Sequence, residues 1–252
     1  MPFTFSHPAI VIPIKNKFEK YFDFTALVLG SMAPDFEYFI RFKPMGTVGH
    51  TIGGFFYFNL PLCLIMAYIF HYIIKKPFIL NLPKPMDQWF YHIAMGRWSI
   101  KSIKDFFIFI YSAIIGMFSH VLWDSFTHDG GMFVEIIHGL RNHIHLMNYQ
   151  IPIYKFFQHG STLLGFLIIL LYLYKNRGPY ERNFYPIPIK TKLFYYASIL
   201  MIATTIVFYR IFLVLGRLAL EFIGIYIVTS INGIMIGITI ISFIFNKCVD
   251  YN

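Results

Sequence analysis

The chain has 252 residues, of which 57% are hydrophobic, 20% aromatic and only 13% charged. Soluble domains carry about 25% charged residues, so the composition excludes an ordinary soluble protein and requires a membrane one. The net charge of +9 comes from Lys and Arg clustered between apolar runs; this suits anionic lipid headgroups, and without a basic patch on a soluble surface no nucleic-acid partner is expected.

Residues 1–14 lack a basic leading region, contain His7-Pro8 and have no small-residue cleavage site, so no cleavable signal peptide is expected. Residues 24–40 follow, apolar until Pro34, Asp35 and Glu37 interrupt them. That length sits at the lower limit for a crossing, and two carboxylates at one end are costly in lipid. A re-entrant or interfacial helix, or one buried against the bundle, is expected there. Residues 41–54 read as a loop, rich in glycine and carrying His50.

Five stronger apolar runs come next, at 55–74, 106–123, 161–174, 193–215 and 222–245, the third extending back towards Ile153. The expected fold is all-α: an integral membrane bundle of about five transmembrane helices, forming one polytopic domain over 1–252. The motifs lie in 1–175, and 193–245 forms a C-terminal helix pair. The connections at 75–104 and 175–192 and the C-terminal tail hold the greater share of Lys and Arg, and should face the cytoplasm. Cys63 and Cys248 make neither a disulfide framework nor a zinc knuckle. On the last run, Thr229, Ser230, Asn232 and the Gly233-x-x-x-Gly237 pair fit close helix packing or homo-oligomerisation. Arg210 is expected to snorkel or to pair with Glu221.

The most informative stretch is residues 119–131, S-H-V-L-W-D-S-F-T-H-D-G-G. His120, Asp124 and His128 are spaced i, i+4, i+8 and fall on one helical face. Imidazole and carboxylate are ligands for zinc and similar divalent ions. Four residues rise about 6 Å and eight about 12 Å, so His120 and Asp124 can share an ion. His128 joins them only if the helix ends first, and Gly130-Gly131 is a suitable stop. The other reading is an amphipathic helix end with polar residues at the water line. In the five-span arrangement Asp35, His50, Asp124, His128 and His159 all fall at the same membrane side. His71, His92, and the trio His138, His143 and His145 are less telling; the last two share a face only on a strand.

Several motifs carry a resemblance. T-F-S-H-P-A at 4–9, G-S-M-A-P-D-F-E-Y-F at 30–39, G-H-T at 49–51, S-H-V-L-W-D-S-F-T-H at 119–128 and Q-H-G-S at 158–161 resemble a bacterial membrane family known as domain of unknown function 4184, over about the first 175 residues. Their order is also similar to the membrane-bound metal-dependent hydrolases, and more distantly to zinc phospholipase C and P1-type nucleases. The resemblance implies a divalent metal, zinc first, held by His7, Asp35, His50, His120 and Asp124. It adds Glu37, His128 and His159 to the site. Catalytic roles would fall to Asp35, Glu37 and His128, and substrate binding to His159. Asp35 and Glu37 diverge by about 200° on a helix, so Asp35 is the better ligand; Glu37 would orient a histidine or act as base. Gln158-His159-Gly160-Ser161 is either a helix cap or a phosphate site. The soluble zinc enzymes use a Trp at the mature N-terminus where this chain has Met1-Pro2, so one or two ions are expected rather than three.

The expected function is a multi-pass hydrolase of the bacterial cytoplasmic (inner) membrane, acting on a phosphoester or lipid-linked substrate, with membrane lipid as its partner. The alternative is a non-enzymatic membrane protein whose polar cluster is a structural metal clamp or an ion pathway.

Overall fold

The structure is a computed structural model that describes residues 3–18, 20–146, 149–179, 184 and 186–249. Met1, Pro2 and Arg182 lie outside them. The described chain is helical apart from one hairpin, His143–Leu146 against Tyr149–Pro152. Among the described residues five helices are long and apolar enough to cross a membrane: Ile52–Leu80, Ile103–Ile136, Ile153–Lys175, Ile189–Leu215 and Leu220–Cys248. This is the expected all-α multi-pass architecture.

The helices begin earlier than the apolar runs, and in the first two a polar cap starts the added turn. Thr51 accepts from the Gly54 N–H at 3.0 Å and starts the first span. Ser102 and Asp105 form a reciprocal capping box that starts the second. The first span widens into π turns at Phe55–Asn59 and Phe70–Ile74. Each lies just before a proline, Pro61 or Pro77, whose missing N–H and bulky ring disfavour regular α-helix in the preceding turn.

Residues 24–40 make no span. Asp23 caps a short helix, Phe24–Met32, with its side chain accepting from the Ala26 N–H at 2.8 Å. A 3-10 turn at Ala33–Asp35 follows, carrying Pro34, and the helix Phe36–Arg41 comes after it.

The chain divides into two compact units. In the first, Phe24–Met32 packs along Ile103–Thr127 at backbone contact distance. A Cβ added at Gly30 would lie 2.1 Å from the Ala113 carbonyl oxygen, and one at Gly116 would lie 2.5 Å from that of Leu27. The register is pinned at both ends. The Asp23 N–H donates to Ser112 Oγ at 3.1 Å, and the His120 ring bonds the Ser31 carbonyl at 2.7 Å. Both contacts rise along both helices, so the two run parallel. The 3-10 helix Thr4–Ile10 closes against Ile153–Lys175, where Gly165 leaves room for Ser6: a Cβ there would meet the Ser6 carbonyl oxygen at 2.8 Å.

In the second unit the last two spans pack on each other. Gly233 faces Ala203 and Gly237 faces Ile199, so this glycine pair serves packing within one chain. Tyr195 and Ser242 share a hydrogen bond of 2.7 Å inside the same contact. Lys192 and Asp87 form a buried ion pair. The expected Arg210–Glu221 pair is corrected: Glu221 binds Arg217 four residues earlier, within the short connection.

Gly116→Leu is expected to destabilise the first unit by about 1–3 kcal/mol through overpacking. Gly139→Ala, whose added Cβ would meet nothing within 4 Å, should leave stability unchanged. Thermal unfolding of both variants in detergent checks the difference.

Candidate metal centre

Four segments of the first unit deliver the polar residues. The 3-10 helix Thr4–Ile10 carries His7, the Pro34 turn carries Asp35, the loop before the first span carries His50, and the helix Ile103–Thr127 carries His120 and Asp124. Local contacts fix each one. Gly49 sits so close to the Pro34 carbonyl oxygen that a Cβ would approach it to 2.2 Å. Asn59 Nδ2 donates to the Gly49 carbonyl at 2.7 Å. Together these hold the His50 loop against the Asp35 turn.

The side chains meet. His120 Nε2 stands 3.3 Å from Asp124 Oδ2 and 3.6 Å from Asp35 Oδ1. His50 Nε2 is 3.7 Å from the same two oxygens, and His7 Nε2 is 3.6 Å from Asp124 Oδ1. The His7 and His120 rings stack with centroids 3.8 Å apart. Among the described residues two sets have a spacing that could hold a metal, His7–Asp35–His120 and His50–His120–Asp124, with ligand atoms within 4.8 Å of one another in each.

These separations have a simple meaning. Ligand atoms about 2.0–2.2 Å from a tetrahedral ion are about 3.3–3.5 Å apart, whereas hydrogen bonds bring N and O to about 2.9 Å. His7 Nε2, Asp35 Oδ1, His120 Nε2 and Asp124 Oδ1 are buried and have no hydrogen-bond partner among the described residues. Buried polar atoms are rarely left so. Three of them, on His7, Asp35 and His120, belong to one set with the spacing that suits a cation.

The surrounding contacts prepare the donors. His120 Nδ1–H donates to the Ser31 carbonyl, which leaves the Nε2 lone pair facing the cluster. Thr4 Oγ1 donates to Asp35 Oδ2 at 2.6 Å, leaving Oδ1 for the pocket. Burial lowers the His7 pKa to about 3, and the adjacent His120 pushes it the same way, so this imidazole is neutral and can offer a lone pair. Burial also raises the Asp35 pKa, with the nearby Asp124 carboxylate adding to it and His120 and Thr4 opposing it. A cation reverses that balance.

His128 arrives by the route its spacing required. The helix ends at Thr127, His128 takes an extended backbone (φ −118, ψ 145), and Gly130 turns the chain at φ 74. Its Nδ1 lies 3.1 Å from the Asp124 carbonyl and 3.5 Å from Asp124 Oδ1, while Nε2 is buried without a hydrogen-bond partner among the described residues. Glu37 is buried and accepts from Arg41 at 2.8 Å, outside both candidate sets. His159 is exposed on Ile153–Lys175 and also stands outside them. His143 and His145 do lie on a strand, and like His138 they are exposed. Thr4, the Ser31 carbonyl, Gly49 and Asn59 were missed by sequence reasoning. Thr4, Ser31 and Gly49 each stand inside a motif quoted above, but with no sign of the contact they make; Asn59 stands in none.

The fold and the cluster define a class: a helical multi-pass membrane protein with a buried His/Asp cluster in its first unit. The chain belongs to the family described as Domain of unknown function (DUF4184), whose profile matches residues 1–243. The match runs well past residue 175, so the C-terminal helices belong to the family's shared architecture. No curated protein and no solved structure matches the chain.

Thr4→Val should cost about 1–3 kcal/mol, because it strands a buried carboxylate oxygen, whereas Thr4→Ser should restore most of the loss. Chemical unfolding in detergent micelles, followed by circular dichroism, measures both.

Proposed function

We propose that this protein is a membrane-embedded metal-dependent hydrolase of phosphoesters, its ion held by His7, Asp35, His50, His120 and Asp124. One observation carries the reading: ion-pair distances of 3.3–3.7 Å link side chains from four segments, and His7 Nε2, Asp35 Oδ1, His120 Nε2 and Asp124 Oδ1 have no hydrogen-bond partner among the described residues. Burying two carboxylates and three imidazoles without compensation would cost several kcal/mol. A divalent cation offsets that cost and balances both carboxylate charges.

When bound, such an ion, zinc being the best fit to this donor set, supplies Lewis acidity that polarises a phosphoryl oxygen and acidifies water. The chain's own groups do the rest. The Ser31 carbonyl orients His120, and Thr4 orients Asp35. His128 is anchored through Nδ1 to the backbone at Asp124 and holds a proton site at Nε2, the position for a general acid or base. The His50 and His128 side chains remain 31% and 26% exposed, which leaves an approach to the cluster. A closed structural clamp would instead fill every coordination position with protein ligands.

The purified protein is expected to contain zinc and to hydrolyse bis(p-nitrophenyl) phosphate. His120→Ala and Asp124→Ala should each lose the metal and lower hydrolysis by at least about tenfold, since even outer-shell partners of ligands are worth about 10–100-fold. His92→Ala should retain both. Equal metal content in all three variants would overturn the ligand assignment. Metal without hydrolysis in the wild type would leave the structural clamp as the better reading.

A further inference from the structure

In the first unit a pocket of about 550 Å³ opens between the Lys20–Tyr21 turn and the start of the second span. Lys20, Tyr21, Lys104, Phe107, Ile108 and Tyr111 line it. Lys104 stands about 24 Å along its helix from His120, so this is the membrane end away from the cluster. The turn lies at that end too. The Asp23 N–H donates to Ser112, and the Phe22 ring meets Tyr111 edge-on with centroids 5.6 Å apart. The Phe24 ring lies 5.7 Å from that of Tyr172, close to where the third span stops at Lys175. The chain thus runs from His7 to this end and returns through Phe24–Met32 to Asp35. Lys20 and Tyr21 form the bend of that hairpin.

Both lysines are exposed, and neither ammonium group makes a salt bridge or hydrogen bond among the described residues. Asp105 follows Lys104 in the chain, but its Oδ2 accepts from the Lys101 and Ser102 N–H groups at 3.1 and 3.0 Å and is spent on the helix cap. The walls are ordered by depth. Lys104 belongs to the exposed first turn of the span, and Phe107, Ile108 and Tyr111 follow about 4–10 Å further in. The 25-residue helix is about 37 Å long. A hydrocarbon core measures about 30 Å, so the helix can keep this charged turn among headgroups while its aromatic level meets acyl chains.

We propose that this pocket binds one anionic phospholipid of the bilayer, its phosphate between Lys20 and Lys104 and an acyl chain on Phe107, Ile108 and Tyr111. The lipid fastens the bend of the hairpin that carries His7 and Asp35 to the second span. This inference does not depend on the hydrolase reading.

The occupant follows from the charge and from the order of the walls. Two ammonium groups without an acid call for an anion, and lysine serves phosphate as a point charge. Basic pockets beside membrane helices take anionic headgroups. The apolar floor lies deeper than the lysines, as an amphiphile in its ordinary orientation requires, headgroup to water and chain inward. A soluble phosphate gains nothing from that floor. A zwitterionic lipid brings a second cation towards the two lysines, which weakens its hold.

The test uses the full-length protein in phosphatidylcholine nanodiscs containing a trace of photoreactive lipid, either phosphatidylglycerol or phosphatidylcholine with the same diazirine-bearing chain. Labelled residues are mapped by mass spectrometry. The phosphatidylglycerol probe is expected to label Phe107 and Tyr111 at least about fivefold more than the phosphatidylcholine probe. Lys20→Gln and Lys104→Gln should each lower that labelling about fivefold, the worth of one lysine near an anionic surface. Lys190→Gln, which removes an exposed lysine from the start of the fourth span, should leave it unchanged. Unlabelled phosphatidylglycerol should raise the unfolding temperature of the wild type and not that of the Lys20→Gln, Lys104→Gln double variant. Equal labelling by the two probes would overturn the proposal, as would a loss in Lys190→Gln as large as in the pocket variants, which marks diffuse surface charge. Displacement of the probe by soluble glycerol 3-phosphate would overturn it in favour of a free-anion site. An equal rise in unfolding temperature in wild type and double variant would overturn the fastening role.

Discussion

The parallel contact between Phe24–Met32 and Ile103–Thr127 is the constraint on which the centre depends. Two hydrogen bonds clamp its ends, and Gly30 and Gly116 let the backbones touch between them. A slip of one residue along either helix would rotate a side chain by about 100° and carry it about 1.5 Å along the axis. His120 would then lose the Ser31 carbonyl, and Asp35, which follows directly from the end of the shorter helix, would leave His120. Helix packing and ligand geometry are one constraint, written in small residues.

The same contact explains how two carboxylates come to be buried at a membrane protein's polar end. Asp35 is fully buried and Asp124 nearly so, at positions where each alone would be strongly unfavourable. They are held by three imidazoles, one hydroxyl and a rigid backbone rather than by Lys or Arg. The cationic side chains are used elsewhere: Arg41 binds Glu37, and Lys192 binds Asp87. A divalent ion, if bound there as proposed, would meet imidazole and carboxylate donors and no fixed cation.

Much of this was legible in the sequence because it rests on periodicity. The five spans follow from apolar runs, and the shared face of His120 and Asp124 follows from a spacing of four. His128 needed only a glycine stop to be placed. What periodicity cannot carry was not legible. The Ser31 carbonyl is a backbone group, present at every residue and silent in the sequence. Thr4 is one hydroxyl among many. Asn59 sits in an apolar run, where its role of fixing the Gly49 loop has no pattern of its own. Glu37 shares its motif with Asp35, yet it pairs with an arginine one helical turn on. Arg210 and Glu221 were matched by charge alone, and the nearer Arg217 took the glutamate.

The order of the cluster residues along the chain bears on how the protein is made. His7, Asp35 and His50 leave the ribosome before His120, whose partner Ser31 lies 89 residues earlier. At about 5–20 residues per second, roughly 4–18 s pass between the synthesis of Ser31 and that of His120. Throughout that interval Asp35 belongs to a nascent segment with no Ile103–Thr127 helix to pack on, so its carboxylate stays in water or among headgroups. The short Phe24–Met32 helix therefore cannot dock until residues 103–127 have been made. Its Asp23 cap and its lack of transmembrane length suit a segment that waits at the surface for its partner.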